Sequence, residues 1–81
     1  MEHTKLEILE NNLNKLNDIS NSCESLIRKI GHLQVDLFNH PDKDLEQFLD
    51  EMNFEFSELH EKLVEEIEMY ENAKVVPERE I

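Results

Sequence analysis

The sequence predicts an all-α protein: an antiparallel two-helix hairpin that forms half of a four-helix bundle with a partner chain. Three observations indicate this fold. Apolar residues recur at steps of three and four from Leu6 to Leu37 and again from Leu45 to Tyr70, which is the period of a helix face. A single break, at residues 39–43, separates the two runs. The chain has one glycine and two prolines, so we expect few loops.

Length and charge limit the classes of function. The chain has 81 residues, enough for one small domain, which we place at residues 1–81. It has 20 acidic and 8 basic residues, a net charge of −12, which argues against binding to nucleic-acid phosphates or anionic membranes. No apolar run approaches the roughly 18 residues of a membrane span, and the N-terminus lacks an apolar signal core. We therefore expect a soluble intracellular protein.

The first helix is predicted from about residue 4 to residue 38. Thr4 is a suitable N-cap, and Glu7 follows it at the spacing of a capping box. Ser20 and Gln34 interrupt the main apolar column, and we interpret them as polar positions between helices that limit slippage of register, rather than as ligands. A second apolar column runs beside the first at seven-residue intervals: Ile19, Leu26 and Leu33. Two columns make a stripe wider than a two-stranded coiled coil needs, which favours a bundle.

The turn is predicted at residues 39–43. The residue before Pro41 is steered away from the α region, so the first helix should end by about His40. Either Asp42 or Asp44 can cap the helix that follows.

The second helix is predicted from about residue 44 to residue 73. Glu66 interrupts its apolar column. The remaining tail, residues 74–81, is predicted to leave the helix at or before Pro77. The second helix also has an acidic outer face, which we interpret as a solvated surface; the alternative is a docking site for a basic partner.

The motifs that catalysis would require are incomplete. His60 and Glu61 begin like the zinc-peptidase helix motif, but Val64 stands where the second histidine should be. Glutamates three residues apart, such as Glu58 and Glu61, have a spacing that suits magnesium, but such pairs arise by chance in so acidic a helix. Cys23 lies on the apolar stripe and is interpreted as a buried structural thiol. We therefore predict no enzyme activity, no catalytic residue, no metal site and no cofactor.

A lone hairpin would leave part of each apolar stripe exposed, so we predict a protein partner that supplies a second helical hairpin. Because two strongly acidic surfaces repel, a less acidic heterologous hairpin is favoured over a second copy of this chain. The residues predicted to bind the partner are Leu9, Leu13, Leu16, Ile19, Cys23, Leu26, Ile27, Ile30, Leu33, Leu45, Leu49, Met52, Phe56, Leu59 and Leu63.

Two stretches carry a family resemblance. Lys5-Leu6-Glu7-Ile8-Leu9-Glu10, followed by the segment from residue 19 to residue 27, resembles the first helix of the subunit 11 family of the Mediator head module, with Cys23 in place of a more usual alanine. The segment from residue 59 to residue 70 is similar to the closing stretch of that family. The resemblance implies a non-catalytic nuclear protein that pairs with Mediator subunit 22 in a four-helix bundle. It would then join a larger complex that acts in RNA polymerase II transcription, without direct contact to nucleic acid or membrane.

Other classes of protein share these features. One is a coiled-coil subunit of another assembly, such as a kinetochore or tethering complex. Another is an acidic bacterial or phage regulator that blocks a basic site on its target. A metal-dependent hydrolase is the weakest alternative, because it depends on the glutamate spacing alone.

Overall fold

The computed structural model describes residues 4–81, and over this range the chain is helical with no strand. Helix α1 spans Lys5–Asp36 and helix α2 spans Lys43–Tyr70. The chain continues through a π-helical turn, Glu71–Val75, into a short helix α3, Val76–Arg79. The predicted all-α architecture with two long helices is confirmed.

Helices α1 and α2 lie side by side in one antiparallel layer. Gln34 contacts Asp50 near the turn, and Asn12 contacts Tyr70 near the other end. The molecule measures 57 × 24 × 14 Å. The smallest dimension, 14 Å, is little more than the ~10–12 Å diameter of one helix with its side chains. The hairpin is therefore a slab with two broad faces.

Each long helix begins at a side-chain cap. Thr4 Oγ1 accepts a hydrogen bond from the Glu7 backbone N–H at 3.1 Å, as the sequence predicted. Asp42 Oδ1 accepts one from the Leu45 N–H at 3.1 Å, so Asp42, and not Asp44, caps α2. Such caps satisfy backbone N–H groups that have no partner within the helix.

Helix α1 ends at Asp36, slightly before the predicted end at residue 38. The N–H groups of Phe38 and Asn39 bond to carbonyls three residues earlier, at 3.1 and 3.2 Å. These shorter loops tighten the last turn and lead the chain out of the α helix.

The main hydrophobic cluster lies near the turn. Its buried members are Ile30, Leu37 and Leu49. Leu45, Met52 and Phe56 pack against them while keeping part of their surface exposed. Further along α1, Leu13 and Cys23 are also buried. The two helices share one line of contact, which we call the seam, and the buried residues of α1 and α2 lie along it.

The segment after Tyr70 differs from the prediction. The sequence predicted a non-helical tail from residue 74, but the chain stays helical as far as Arg79. Pro77 lies in the first turn of α3, a position where proline is tolerated. A proline therefore does not end the helical path here.

The π-helical turn explains why the sequence pattern missed this segment. Continuing the seven-residue spacing from His60 and Ile67, which border the seam and are partly buried, would bring Lys74 against α1. A π turn accommodates one extra residue, so the position passes to Val75, which has 0% of its surface exposed. The burial of Val75, rather than of a lysine, keeps the end of the chain against α1.

Two ion pairs join the end of the chain to the start of α1. Lys5 Nζ lies 3.1 Å from Glu78 Oε1, and Arg79 Nε donates to Glu10 Oε1 at 3.0 Å. The side chains of Lys5, Arg79 and Glu10 are substantially exposed, so each pair contributes only about 0–1 kcal/mol. The burial of Val75 is the larger contribution.

Val75→Ala should lower the free energy of unfolding by about 2 kcal/mol, because it removes two buried methyl groups and leaves a void. Val35→Ala is the matched control, since Val35 is 60% exposed and should change stability little. Urea unfolding followed by circular dichroism measures both. Equal effects of the two substitutions would contradict the placement of Val75 in the seam.

Candidate functional site: the two faces of the hairpin

One broad face carries the polar contacts between the helices. His60 Nε2 lies 3.3 Å from Ser20 Oγ and 3.1 Å from Glu24 Oε1. Nearer the turn, Gln34 Nε2 donates to Asp50 Oδ1 at 3.0 Å. We call the side of the slab defined by these five residues the polar face. Both residues that interrupt the apolar column of α1, Ser20 and Gln34, thus contact α2.

Sequence reasoning did not identify the partners of these two residues. Folding the chain back at the predicted turn brings Ser20 level with the region around His60. The polar Ser20 within the apolar column of α1 therefore indicates that the residue of α2 opposite it is also polar. His60 was considered instead as part of a zinc motif, which concealed its place in the hairpin.

Ser20, His60 and Glu24 resemble a catalytic triad in composition but not in geometry. A serine triad needs the hydroxyl at one ring nitrogen and the carboxylate at the other. Here both oxygens lie near the same atom, His60 Nε2. An ionised carboxylate only accepts hydrogen bonds, so Nε2 must carry the hydrogen when it bonds to Glu24. A protonated Nε2 cannot take a proton from Ser20, so this geometry does not activate the hydroxyl.

A serine-directed fluorophosphonate should therefore leave Ser20 unmodified, because the residue is 7% exposed and the adjacent His60 Nε2 carries a hydrogen and cannot act as a base. Intact-mass spectrometry after incubation measures the modification. A mass increase in the wild type that is lost in Ser20→Ala would show that the hydroxyl is activated after all.

The opposite broad face carries exposed apolar side chains from both helices. On α1, Ile19, Leu26 and Leu33 each precede by one residue a position on the Ser20–Gln34 column, a rotation of about 100° away from the polar face. On α2, Met52 and Leu59 stand in the same relation to the column that contains His60. Because the helices are antiparallel, both rotations lead to the same side of the slab. We call this side the apolar face and define it by Ile19, Leu26, Leu33, Leu45, Phe48, Met52 and Leu59.

The apolar face is open over its central part. Ile19, Leu26, Leu33, Phe48 and Leu59 are between 39% and 53% exposed. Leu45 and Met52 lie between them and are partly buried. An exposed row of large apolar side chains is characteristic of an interaction surface.

The polar face also has some apolar surface, close to the turn. A shallow groove of about 470 Å³ lies there. Its lining comprises Gly31, Gln34, Val35, Phe38, Glu46 and Asp50. Half of these residues are polar or charged, so the groove is less uniform than the apolar face.

The structure separates the predicted partner-binding residues into two sets. One set packs along the seam within the chain and is buried or partly buried: Leu9, Leu13, Leu16, Cys23, Ile27, Ile30, Leu45, Leu49, Met52, Phe56 and Leu63. The other set remains exposed: Ile19, Leu26, Leu33 and Leu59. The fully buried residues contact the other helix of the hairpin, so another chain reaches them only if the hairpin opens. Phe48, which was not predicted, belongs with the exposed set.

Cys23 is buried, and its S–H donates to the Phe56 carbonyl oxygen at 3.4 Å. Within residues 4–81, no group of three or more His, Cys, Asp and Glu side chains is arranged to hold a metal ion. No helix in this described range is long and apolar enough to cross a membrane.

Comparison of the chain with known proteins gave no match to a protein-family model, to a curated protein or to a solved structure.

Proposed function

We propose that the protein is a non-catalytic interaction module whose apolar face docks a second helical hairpin and thereby completes a four-helix bundle. The observation that supports the proposal is the apolar face itself. A slab one helix thick, 14 Å, has no second layer of its own to cover Ile19, Leu26, Leu33 and Leu59. Antiparallel hairpins commonly reach a full core by stacking two such layers.

The dimensions of the slab suit a stable interface. A broad side of the slab, 57 Å long and 24 Å wide, exceeds the ~800 Å² that each partner buries in a typical stable complex, and the apolar residues from Ile19 to Leu33 occupy about 21 Å of its length. Docking would also bury Leu45 and Met52, which the hairpin alone leaves partly exposed. Each large apolar side chain fully removed from water contributes about 1.5–3 kcal/mol, so completing the burial of the row favours association.

The polar face suits docking less well. Its central side chains, His60 and Glu24, already bond to each other across the helices. Covering them with a second layer would remove a carboxylate from water, which costs several kcal/mol unless new partners compensate. The partner is therefore assigned to the apolar face.

Leu59→Asp and Val64→Asp form a matched pair, because the two residues are almost equally exposed, Leu59 at 47% and Val64 at 46%. They differ in position, since Leu59 lies on the apolar side of α2 and Val64 on the polar side. At concentrations where the chain is monomeric, the wild type should bind an apolar fluorescent dye. Leu59→Asp should weaken this binding because it places a charge in the apolar row, and Val64→Asp should leave it unchanged. A monomer that binds no dye and melts cooperatively, at a temperature constant over a roughly hundredfold concentration range, would overturn the proposal.

The sequence resemblance supports a specific partner, Mediator subunit 22, and with it a role in RNA polymerase II transcription in the nucleus. This second proposal depends on the residues quoted above and on the four-helix bundle that the resemblance implies. The two-helix slab supplies one half of such a bundle.

If this partner is correct, the chain should co-purify with Mediator subunit 22 on co-expression. Leu59→Asp should abolish co-purification, since a charge buried without a partner costs several kcal/mol, and Val64→Asp should not. Failure of the wild type to co-purify would remove the Mediator assignment and leave the docking proposal to the dye-binding measurement.

A further inference from the structure

We infer that the hairpin docked on the apolar face is a second copy of this chain, related by a two-fold axis parallel to the helices. In this arrangement α1 of each copy covers α2 of the other. The inference rests on the proposed function, because it names the occupant of the same face, and it is the alternative to Mediator subunit 22 at that face. It follows from the charges that border the apolar face and from the heights at which they stand.

The two edges of the apolar face have opposite charge. On α1, Lys15 and Lys29 lie four residues before Ile19 and Leu33, which places them beside the apolar column on its outer side. On α2, Glu55 lies between Met52 and Leu59 on the corresponding edge, with Glu51 and Glu58 a step further round the helix. The exceptions are Lys62 on this edge and Asp36 on the α1 edge, where it lies three residues after Leu33. The α1 edge is therefore mainly basic and the α2 edge mainly acidic.

The proposed axis brings these edges together at matching heights. A rotation about an axis parallel to the helices does not change the position of a residue along the helix axis, which we call its height. Each α1 residue therefore lies opposite the same α2 residues of the other copy as it does within its own chain. Cys23 bonds to Phe56 and Gln34 bonds to Asp50, and these two contacts put Lys29 of one copy at a height between residues 50 and 55 of the other, a range that includes Glu51 and Glu55. Opposite charges at these distances favour the paired state and fix its register.

The same rotation accounts for Glu66, which interrupts the apolar column of α2. Ser20 lies beside His60 within the chain, so Lys15 lies at the height of Glu65, one residue from Glu66. On the other copy, Lys15 therefore has Glu66 within reach. The acidic residue at this end of the apolar face would be paired rather than buried alone.

The other symmetric arrangement, with the axis across the helices, is disfavoured by the same charges. It would stack α2 on α2 and set the Glu55 edges of the two copies against each other. Like charges at an interface cost free energy and act against that arrangement.

The net charge of −12 is less of an obstacle than the sequence alone indicated. Glu61 and Glu68 lie toward the outer side of α2, away from the apolar face. A helix is about 10–12 Å across, and the Debye length is ~8 Å at physiological salt, so repulsion from these residues is largely screened. The charges closest to the interface, Lys29 and Glu55, are the complementary ones.

Sedimentation equilibrium of the full chain tests the inference. The expected mass is about twice the 9.7 kDa of the chain. Lys29→Glu and Glu55→Lys, both at exposed positions, should each weaken the dimer roughly tenfold, because symmetry repeats every pair twice. The double variant, which exchanges the two charges, should recover most of the affinity. Circular dichroism of each variant should show unchanged helix content.

The outcomes separate this inference from the proposed function. A chain that stays at 9.7 kDa at every concentration overturns the second copy. If that monomer still binds dye at the apolar face, the docking proposal stands with a heterologous partner; if it binds none, both are overturned. If the wild type is a dimer but the double variant does not recover the affinity lost in the single variants, the proposed arrangement of the helices is overturned.

Discussion

The structure depends on one line of contact, the seam between two antiparallel helices. A single seam buries one stripe of each helix and no more, which is why the buried residues are few and why the slab is 14 Å thick. The apolar stripes of both helices are wider than this seam. The two faces differ because the apolar residues that the seam does not bury lie on one side of it.

On α1 the surplus lies on one side, in the column of Ile19, Leu26 and Leu33, whereas the other side holds Ser20 and Gln34. On α2 the division is the same, with Leu59 on one side and His60 on the other. Because the helices are antiparallel, the two divisions coincide in space. An apolar face and a polar face thus arise from a one-residue offset within each helix, without any additional element of structure.

Much of this arrangement is predictable from periodicity. The helices, the turn, the Thr4 cap and the separation of a second apolar column follow from residue spacing, because local geometry alone decides them. The π turn does not follow, since its extra residue breaks the spacing at a point where only packing against α1 decides which side chain is buried. Val75 packs better than Lys74 against α1, and no residue pattern near Pro77 indicates that Val75 would be the buried one. The contacts of His60 also depend on long-range pairing, and a motif-based interpretation of that residue drew attention away from them.

The ion pairs between Lys5 and Glu78 and between Glu10 and Arg79 bring residues from opposite ends of the described chain to the same end of the slab. A short peptide joining them would span little distance. A loop at that end can therefore connect the helices in place of the present turn, and the same side chains would still meet along the seam. Connectivity and packing are thus separable in this fold: a circularly permuted sequence would specify the same two faces.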